Sequence, residues 1–443
     1  MSMDLRGKTI VAEWTWTGSR FSRDVAVRVG ADGRIELVGP AGPSSPHDAR
    51  DPQRIDLPGC ALLPGFVNAH SHAFQRGLRG TPQRFESGSG DFWTWRHTMY
   101  RLAESLAVDS FYTHSRRAFE EMLSAGITAV GEFHYLHHAG DGSVDPWVFD
   151  DAILAAARDV GIRICLIQCY YATGAIGQPL QGAQKRFGPV SRDEFLRQMD
   201  RLANKLDSRT QSLAVACHSI RAVDLPDLKY FRDFAAAHNW PFHIHVEEAR
   251  KEIDDCVAVH GAGPMATLLR EIRIDPRVTA IHCTHSTRQD LREYIARGGM
   301  VCLCPITEGN LSDGFPDLPF ILEEDGAVCF GTDSNIRISA TEELRWMEFG
   351  QRARRETRGI VTDQHGSCAA GLIEIGTRNG ARSLGLSAGA IIAGNRADLV
   401  AIDVNHALML GCEDDAIADS LLFGCGNCPI SRVWVGGVEC WSR

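Results

Sequence analysis

The stretch ALLPGFVNAHSH, residues 61–72, is an apolar run of strand length that ends in two histidines two positions apart. In an extended chain alternate residues point to the same side, so His70 and His72 present both imidazoles to one place. One ion could be held by both. Seven further short apolar runs follow: ITAVGEFH (127–134), IRICLIQCY (162–170), SLAVACHS (212–219), PFHIHVEE (241–248), VTAIHCTH (278–285), MVCLCPIT (300–307) and AVCFGTDS (327–334). Helix-like segments lie between many of them, among them FYTHSRRAFEEMLSAG (111–126), RDEFLRQMDRLANKL (192–206) and TRQDLREYIARGG (287–299). Short β-rich runs alternating with amphipathic helices are the pattern of parallel βα units. Eight of them predict an α/β fold, a closed (β/α)8 TIM-like barrel over residues 61–390. In such a barrel the strand C-terminal ends and the loops after them build the site, which makes the polar residues there the candidates.

Outside this region the pattern changes. TIVAEWTW (9–16), VAVRV (25–29) and RIELVG (34–39) alternate apolar and polar residues, and ADLVAID (397–403) and SRVWVGGVEC (431–440) are strand-like. Neither end has enough strands to bury a core alone, so residues 1–60 and 391–443 are expected to pair as one small β-sandwich domain. The Pro/Gly/Ser-rich stretch at 39–52 and GSVDP near residue 145 read as a loop and a turn.

Charge and composition exclude several classes. With 46 Lys plus Arg against 56 Asp plus Glu, the net charge of −10 argues against a nucleic-acid binder. No window approaches the roughly 20 continuous apolar residues of a membrane span, and MSMDLRGKTI has no apolar stretch behind its charges, so a cytoplasmic protein is expected. The 14 cysteines are scattered, many within apolar runs, and read as reduced thiols. Cys425 and Cys428 have metal-like spacing but no second pair, and read as a loop.

Four clusters fall at predicted strand ends: Asn68-Ala69-His70-Ser71-His72, His243-Ile244-His245, His282-Cys283-Thr284-His285 and Gly331-Thr332-Asp333-Ser334. Several histidines and a carboxylate converging on one barrel mouth favour a metal site. Neutral imidazoles with one carboxylate suit zinc, while ligand type alone leaves Fe(II) and Mn(II) open.

These strings resemble the amidohydrolase superfamily, and specifically the formimidoylglutamate deiminases of histidine breakdown. The metal motif is matched by LPGFVNAHSH (63–72), and the subfamily by HSHAFQRGLRG (70–80), DFWTWRHTMYR (91–101), EFHYLHH (132–138) and EELRWMEFGQR (342–352). GNRADLV (394–400) is similar to the superfamily's return into its β domain. The resemblance implies one divalent metal held by His70, His72, His245 and Asp333, since strand four carries no lysine to bridge a second ion. It implies that Asp333 takes a proton from the attacking water, that His282 hydrogen-bonds the attacking oxygen, and that Glu248 shuttles a proton to the imino nitrogen. Strict alternation from His245 would instead aim Glu247 at the metal.

The resemblance further places Gln75, Arg96, Tyr135, His218 and Arg221 on the substrate, with Arg96 and Arg221 in loops offering guanidinium donors to carboxylates. His285 and the EFHYLHH histidines His134, His137 and His138 read as structural, and Trp93 and Trp95, in a long loop, as packing, with shielding of the site or a subunit contact open to them. The implied activity is hydrolysis of N-formimino-L-glutamate to N-formyl-L-glutamate and ammonia. A guanine or other heterocycle deaminase, or a non-catalytic barrel serving as a binding or assembly module, are the alternatives. The expected partners are a small molecule carrying carboxylates and, in a homodimer, a second copy of the chain.

Overall fold

Parallel strands with no polar face must be covered on both sides, which is why near-continuous apolar runs end up inside a ring of helices. In the computed structural model, which describes residues 3–41, 53–83, 90, 92–139, 145–189, 191–426 and 429–443, all eight apolar runs form such strands. They are Phe66–Ser71, Ile127–His134, Arg163–Tyr170, Gln211–Ser219, Phe242–Val246, Val278–His282, Met300–Leu303 and Ala327–Phe330. Each pairs in parallel with the next, in chain order. The ring closes at the site itself. His72 N donates to the Asp333 carbonyl at 2.9 Å, Asp333 N donates to the His70 carbonyl at 3.0 Å, and a parallel bridge joins Ser71 to Asp333. Gly331 permits this approach, because a Cβ there would lie 2.8 Å from the His70 carbonyl oxygen.

Several covering helices begin with a side-chain cap. Ser191, Asp224, Thr287 and Ser339 each accept a hydrogen bond from the backbone N–H three residues on, opening helices Arg192–Lys205, Leu225–Ala237, Arg288–Ala296 and Ala340–Arg355. One predicted loop is a helix. Residues Phe92–Ser105 are helical, with Phe92, Trp95, Arg96, Met99 and Tyr100 at helical spacing on one face that borders the barrel mouth. The aromatic-rich string disguised that period, and Arg96 therefore sits on a helix. Arg221 lies in a short 3-10 turn, Ile220–Ala222, directly after strand four.

The two ends of the chain build one mixed sheet, in the order Val438–Ser442, Ile430–Val435, Leu399–Asp403, Arg54–Pro64, Thr9–Trp16, Val25–Val29, Ile35–Pro40, with Phe21–Ser22 beside Thr9–Trp16. The C-terminal Leu399–Asp403 runs antiparallel to Arg54–Pro64, while Thr9–Trp16 and Arg54–Pro64 pair in parallel. The strand Arg54–Pro64 runs through residue 60, so the expected boundary there falls inside a strand that leads straight into the barrel at Phe66. Arg163 of barrel strand three reaches across to Asp398 with two bonds of 2.7 and 2.8 Å, both side chains buried, and ties sheet to barrel. Most of the 39–52 loop, most of the GSVDP turn and Cys428 lie outside the described residues. Among those residues no helix is long and apolar enough to cross a membrane.

Candidate active site

Strand geometry brings the four expected ligands together. One atom each of His70, His72, His245 and Asp333 lies within 4.8 Å of the others, and all four residues are buried. Asp333 Oδ1 is 3.4 Å from His70 Nε2 and 3.3 Å from His72 Nε2, and His245 Nε2 is 3.2 Å from His70 Nε2. His72 Nδ1 donates to the Phe133 carbonyl and His245 Nδ1 to the His218 carbonyl, each at 2.8 Å. Those bonds fix the tautomer and leave both Nε2 lone pairs turned inward.

Burial lowers the basicity of His70, lowers His72 to about 3 and lowers His245 well below the usual imidazole value, so all three stay neutral. Asp333 stays ionised: burial opposes it, but its contact with His70 and the charge of His282 hold it well below the ordinary carboxylate range. The inward lone pairs of His72 and His245, gathered with His70 Nε2 and the Asp333 carboxylate, are satisfied by a cation, and the donor set fits a divalent metal.

The proposed proton-handling residues adjoin this cluster. His282 Nε2 is 3.5 Å from Glu248 Oε1 and 3.9 Å from Asp333 Oδ2. Burial works against its charge, but Glu248, Glu308 and Asp333 outweigh it and lift His282 to about 10. Burial raises the Glu248 carboxyl, with His282 opposing. The strand period fails where the family pattern said it would: Glu247 adopts φ +54°, so its carboxylate turns away to accept the Met265 N–H at 3.0 Å, and Glu248 lines the cavity. His282 (φ +72°) and Asp333 (φ +44°) are also left-handed, an uncommon conformation for non-glycine residues.

Above the cluster lies a narrow cavity. Gln75, Arg96, Tyr135, His218 and Arg221 all line it. Gln75 Nε2 donates to the Tyr135 hydroxyl at 2.7 Å, leaving Gln75 Oε1 buried without a partner among the described residues. Arg221 is buried, and its Nε and Nη1 likewise find no acceptor there. Arg96 stacks over the rings of Trp93 and Tyr100.

Other histidines have structural work. His134 and His137 both bond Asp150 Oδ1, at 2.9 and 3.0 Å, and His137 also bonds the Cys169 carbonyl at 2.9 Å. His285 lies outside the ligand cluster.

Three contributors were missed by sequence reasoning. Glu308, four residues after Cys304 at the end of strand seven, accepts the Cys304 N–H at 2.9 Å and stands 3.3 Å from His282 Nδ1. Asn68 bonds Thr332 through both ends of its amide, at 2.6 and 3.0 Å, and Asn335 Nδ2 donates to Ser71 Oγ at 3.0 Å, so the turn carrying Asp333 is tied to strand one. A carboxylate in PITEGN directly after a predicted strand was the one available signal for Glu308.

Fold and site together define a barrel hydrolase of the metal-binding kind, and residues 61–440 match the amidohydrolase family, to which the chain belongs. It is 35% identical over 434 residues, 97% of this chain and 93% of the relative, to the formimidoylglutamate deiminase of Pseudomonas aeruginosa. It is 28% identical to a 5-methylthioadenosine/S-adenosylhomocysteine deaminase of Desulforudis audaxviator, over 95% of this chain and 89% of that one. Among solved structures, an amidohydrolase from Brucella melitensis superposes with a TM-score of 0.87 at 30% identity, covering 98% of this chain and 94% of the other. An adenosine deaminase from Xanthomonas campestris, a structure with bound zinc, superposes with a TM-score of 0.81 at 24% identity, covering 98% and 92%.

Proposed function

We propose that the protein hydrolyses the C=N end of N-formimino-L-glutamate, giving N-formyl-L-glutamate and ammonia, in histidine degradation. The observation that carries this reading is the buried Arg221 guanidinium, with two nitrogens lacking acceptors, in a cavity that ends at the His/Asp cluster. Glu252 and Glu248 favour the charge of Arg221, but buried N–H groups without acceptors are costly, and a ligand carboxylate removes that cost. Gln75 Oε1, Glu248 and Asp333 offer partners to an amidine, and Arg96 and Arg221, which line the same cavity, offer partners to carboxylates. The 35% identity to a formimidoylglutamate deiminase supports the same substrate.

In this reading the metal is a single zinc ion, supported by the neutral imidazole-rich donor set and by the zinc in a structural relative. His70, His72, His245 and Asp333 would hold it, and it would supply Lewis acidity that makes the attacking water more acidic. Asp333 accepts the proton of the attacking water. His282 hydrogen-bonds the oxygen as it approaches the formimino carbon, held in place by Glu308. Glu248 delivers a proton to the imino nitrogen, which makes the carbon more electrophilic; Asp333 then passes the water's proton to the resulting amino group, which leaves as ammonia while Glu248 takes back the hydroxyl proton as the formyl C=O forms. Arg221, Arg96, Tyr135, His218 and Gln75 orient the rest of the molecule. Removing metal with dipicolinate should abolish ammonia release and one equivalent of zinc should restore it; activity that survives complete metal removal contradicts the mechanism.

Replacing Arg221 with Met should raise KM for formiminoglutamate roughly ten- to hundredfold with a smaller change in kcat, measured in steady state, because a charge-assisted pair is lost from binding. The aromatic wall, including Tyr135, Tyr171 and Phe187, also suits a flat base, which keeps heterocycle deamination as a second reading. Ammonia release from formiminoglutamate, formiminoaspartate and guanine by the metal-loaded protein separates the two: turnover of guanine alone would overturn the proposed substrate. A cytoplasmic location is supported by the described cysteines, all free thiols. A homodimer is supported by Trp346 and Phe349, exposed together on helix Ala340–Arg355, and monomer mass in sedimentation would remove it.

A further inference from the structure

Trp95 was expected to serve packing, yet it stands on the cavity wall with its indole Nε1 buried and without a hydrogen-bond acceptor among the described residues. A buried indole N–H normally finds a partner, and leaving it unpaired costs stability. Its neighbours say what that partner is. Phe92, one turn earlier on helix Phe92–Ser105, packs against the Trp95 ring at 5.9 Å and under the Arg221 guanidinium at 5.6 Å, so indole and guanidinium flank one ring. Arg96 follows directly on the same helix. Tyr100, a turn further, accepts from Gln184 Nε2 at 3.0 Å and lines the same cavity. This part of the wall therefore offers hydrogen-bond donors, two of them cationic.

We propose that the Trp95 indole N–H donates to a substrate carboxylate beside Arg221, making Trp95 a specificity-determining residue for dicarboxylates. The inference rests on the dicarboxylate reading of the site and adds a neutral, directional donor to its arginines. An arginine attracts any anion that reaches it, whereas an indole N–H carried on a helix rewards a carboxylate oxygen along one direction only. An amide in place of that carboxylate still presents an oxygen, but a neutral hydrogen bond is weaker than a charge-assisted one.

The test uses the full-length, metal-loaded protein and the reaction product, so that it does not depend on turnover. Affinities of wild type and Trp95→Phe are measured by titration calorimetry for N-formyl-L-glutamate and for its two monoamides, N-formyl-L-glutamine and N-formyl-L-isoglutamine. Trp95→Phe should bind the diacid roughly tenfold or more weakly, and that penalty should shrink to under about threefold for the one monoamide that lacks the recognised carboxylate. 3-Benzothienylalanine at position 95, which keeps the bicyclic ring and replaces N–H with sulfur, should reproduce the loss and guards against a packing defect in the phenylalanine variant. Unchanged diacid affinity in both variants, or the same penalty for all three ligands, overturns the inference. Ammonia release from formiminoglutamate by wild type is scored separately: its absence defeats the proposed activity while the carboxylate titrations still decide Trp95.

Discussion

Asp333→Asn is expected to lower kcat for ammonia release roughly a thousandfold or more, because one side chain both holds the metal and takes the proton of the attacking water. The substitution keeps the shape of the side chain, so the backbone links from Asp333 to His70 and His72 that close the barrel should survive. An amide oxygen can still face His70 and His72, and part of the metal should remain. What is lost is basicity. The wild-type carboxylate is held ionised by the surrounding imidazoles, and an amide cannot accept the proton that the attacking water must give up. Metal content and kcat measured on the same preparation separate the two roles. A rate within tenfold of wild type at equal metal occupancy would remove Asp333 as proton acceptor.

Glu248→Gln should cost about 10²- to 10⁴-fold in kcat with little change in KM, because its proton is needed at the imino nitrogen and not for binding. Burial raises the Glu248 carboxyl, so it keeps its proton to a higher pH than an exposed glutamate would. The sign follows: protonated Glu248 is the active acid, so the kcat limb that reports it falls as pH rises and lies above the ordinary glutamate range. That limb should vanish in Glu248→Gln. If the variant retains both rate and limb, the acid is another group, and Glu247 is the residue to examine.

Much of this was legible in the sequence because barrels are regular. Eight apolar runs became eight parallel strands, and the polar residues ending them met at one mouth, since in-register parallel strands bring their C-terminal ends to the same face. What escaped reading lies where local rules break. Alternation assigned Glu247 to the metal face, and only the left-handed backbone at that residue turns Glu248 there instead. The family pattern carried that information and the period did not. The Phe92–Ser105 helix hid behind a string rich in aromatics, with its helical stripe mistaken for loop composition. Glu308, Asn68 and Asn335 act on other site residues across the barrel, at sequence distances of up to 264, and no local pattern encodes such pairs. The unpaired Trp95 N–H is invisible until the cavity around it is known.

Metal stoichiometry tests the central claim most directly. Elemental analysis of wild-type protein reconstituted with zinc and freed of excess should give one ion per chain, and His72→Ala and His245→Ala, each removing one inward-facing nitrogen, should bind well below one. Two ions per chain, or a full equivalent retained by both variants, would contradict a site built from His70, His72, His245 and Asp333.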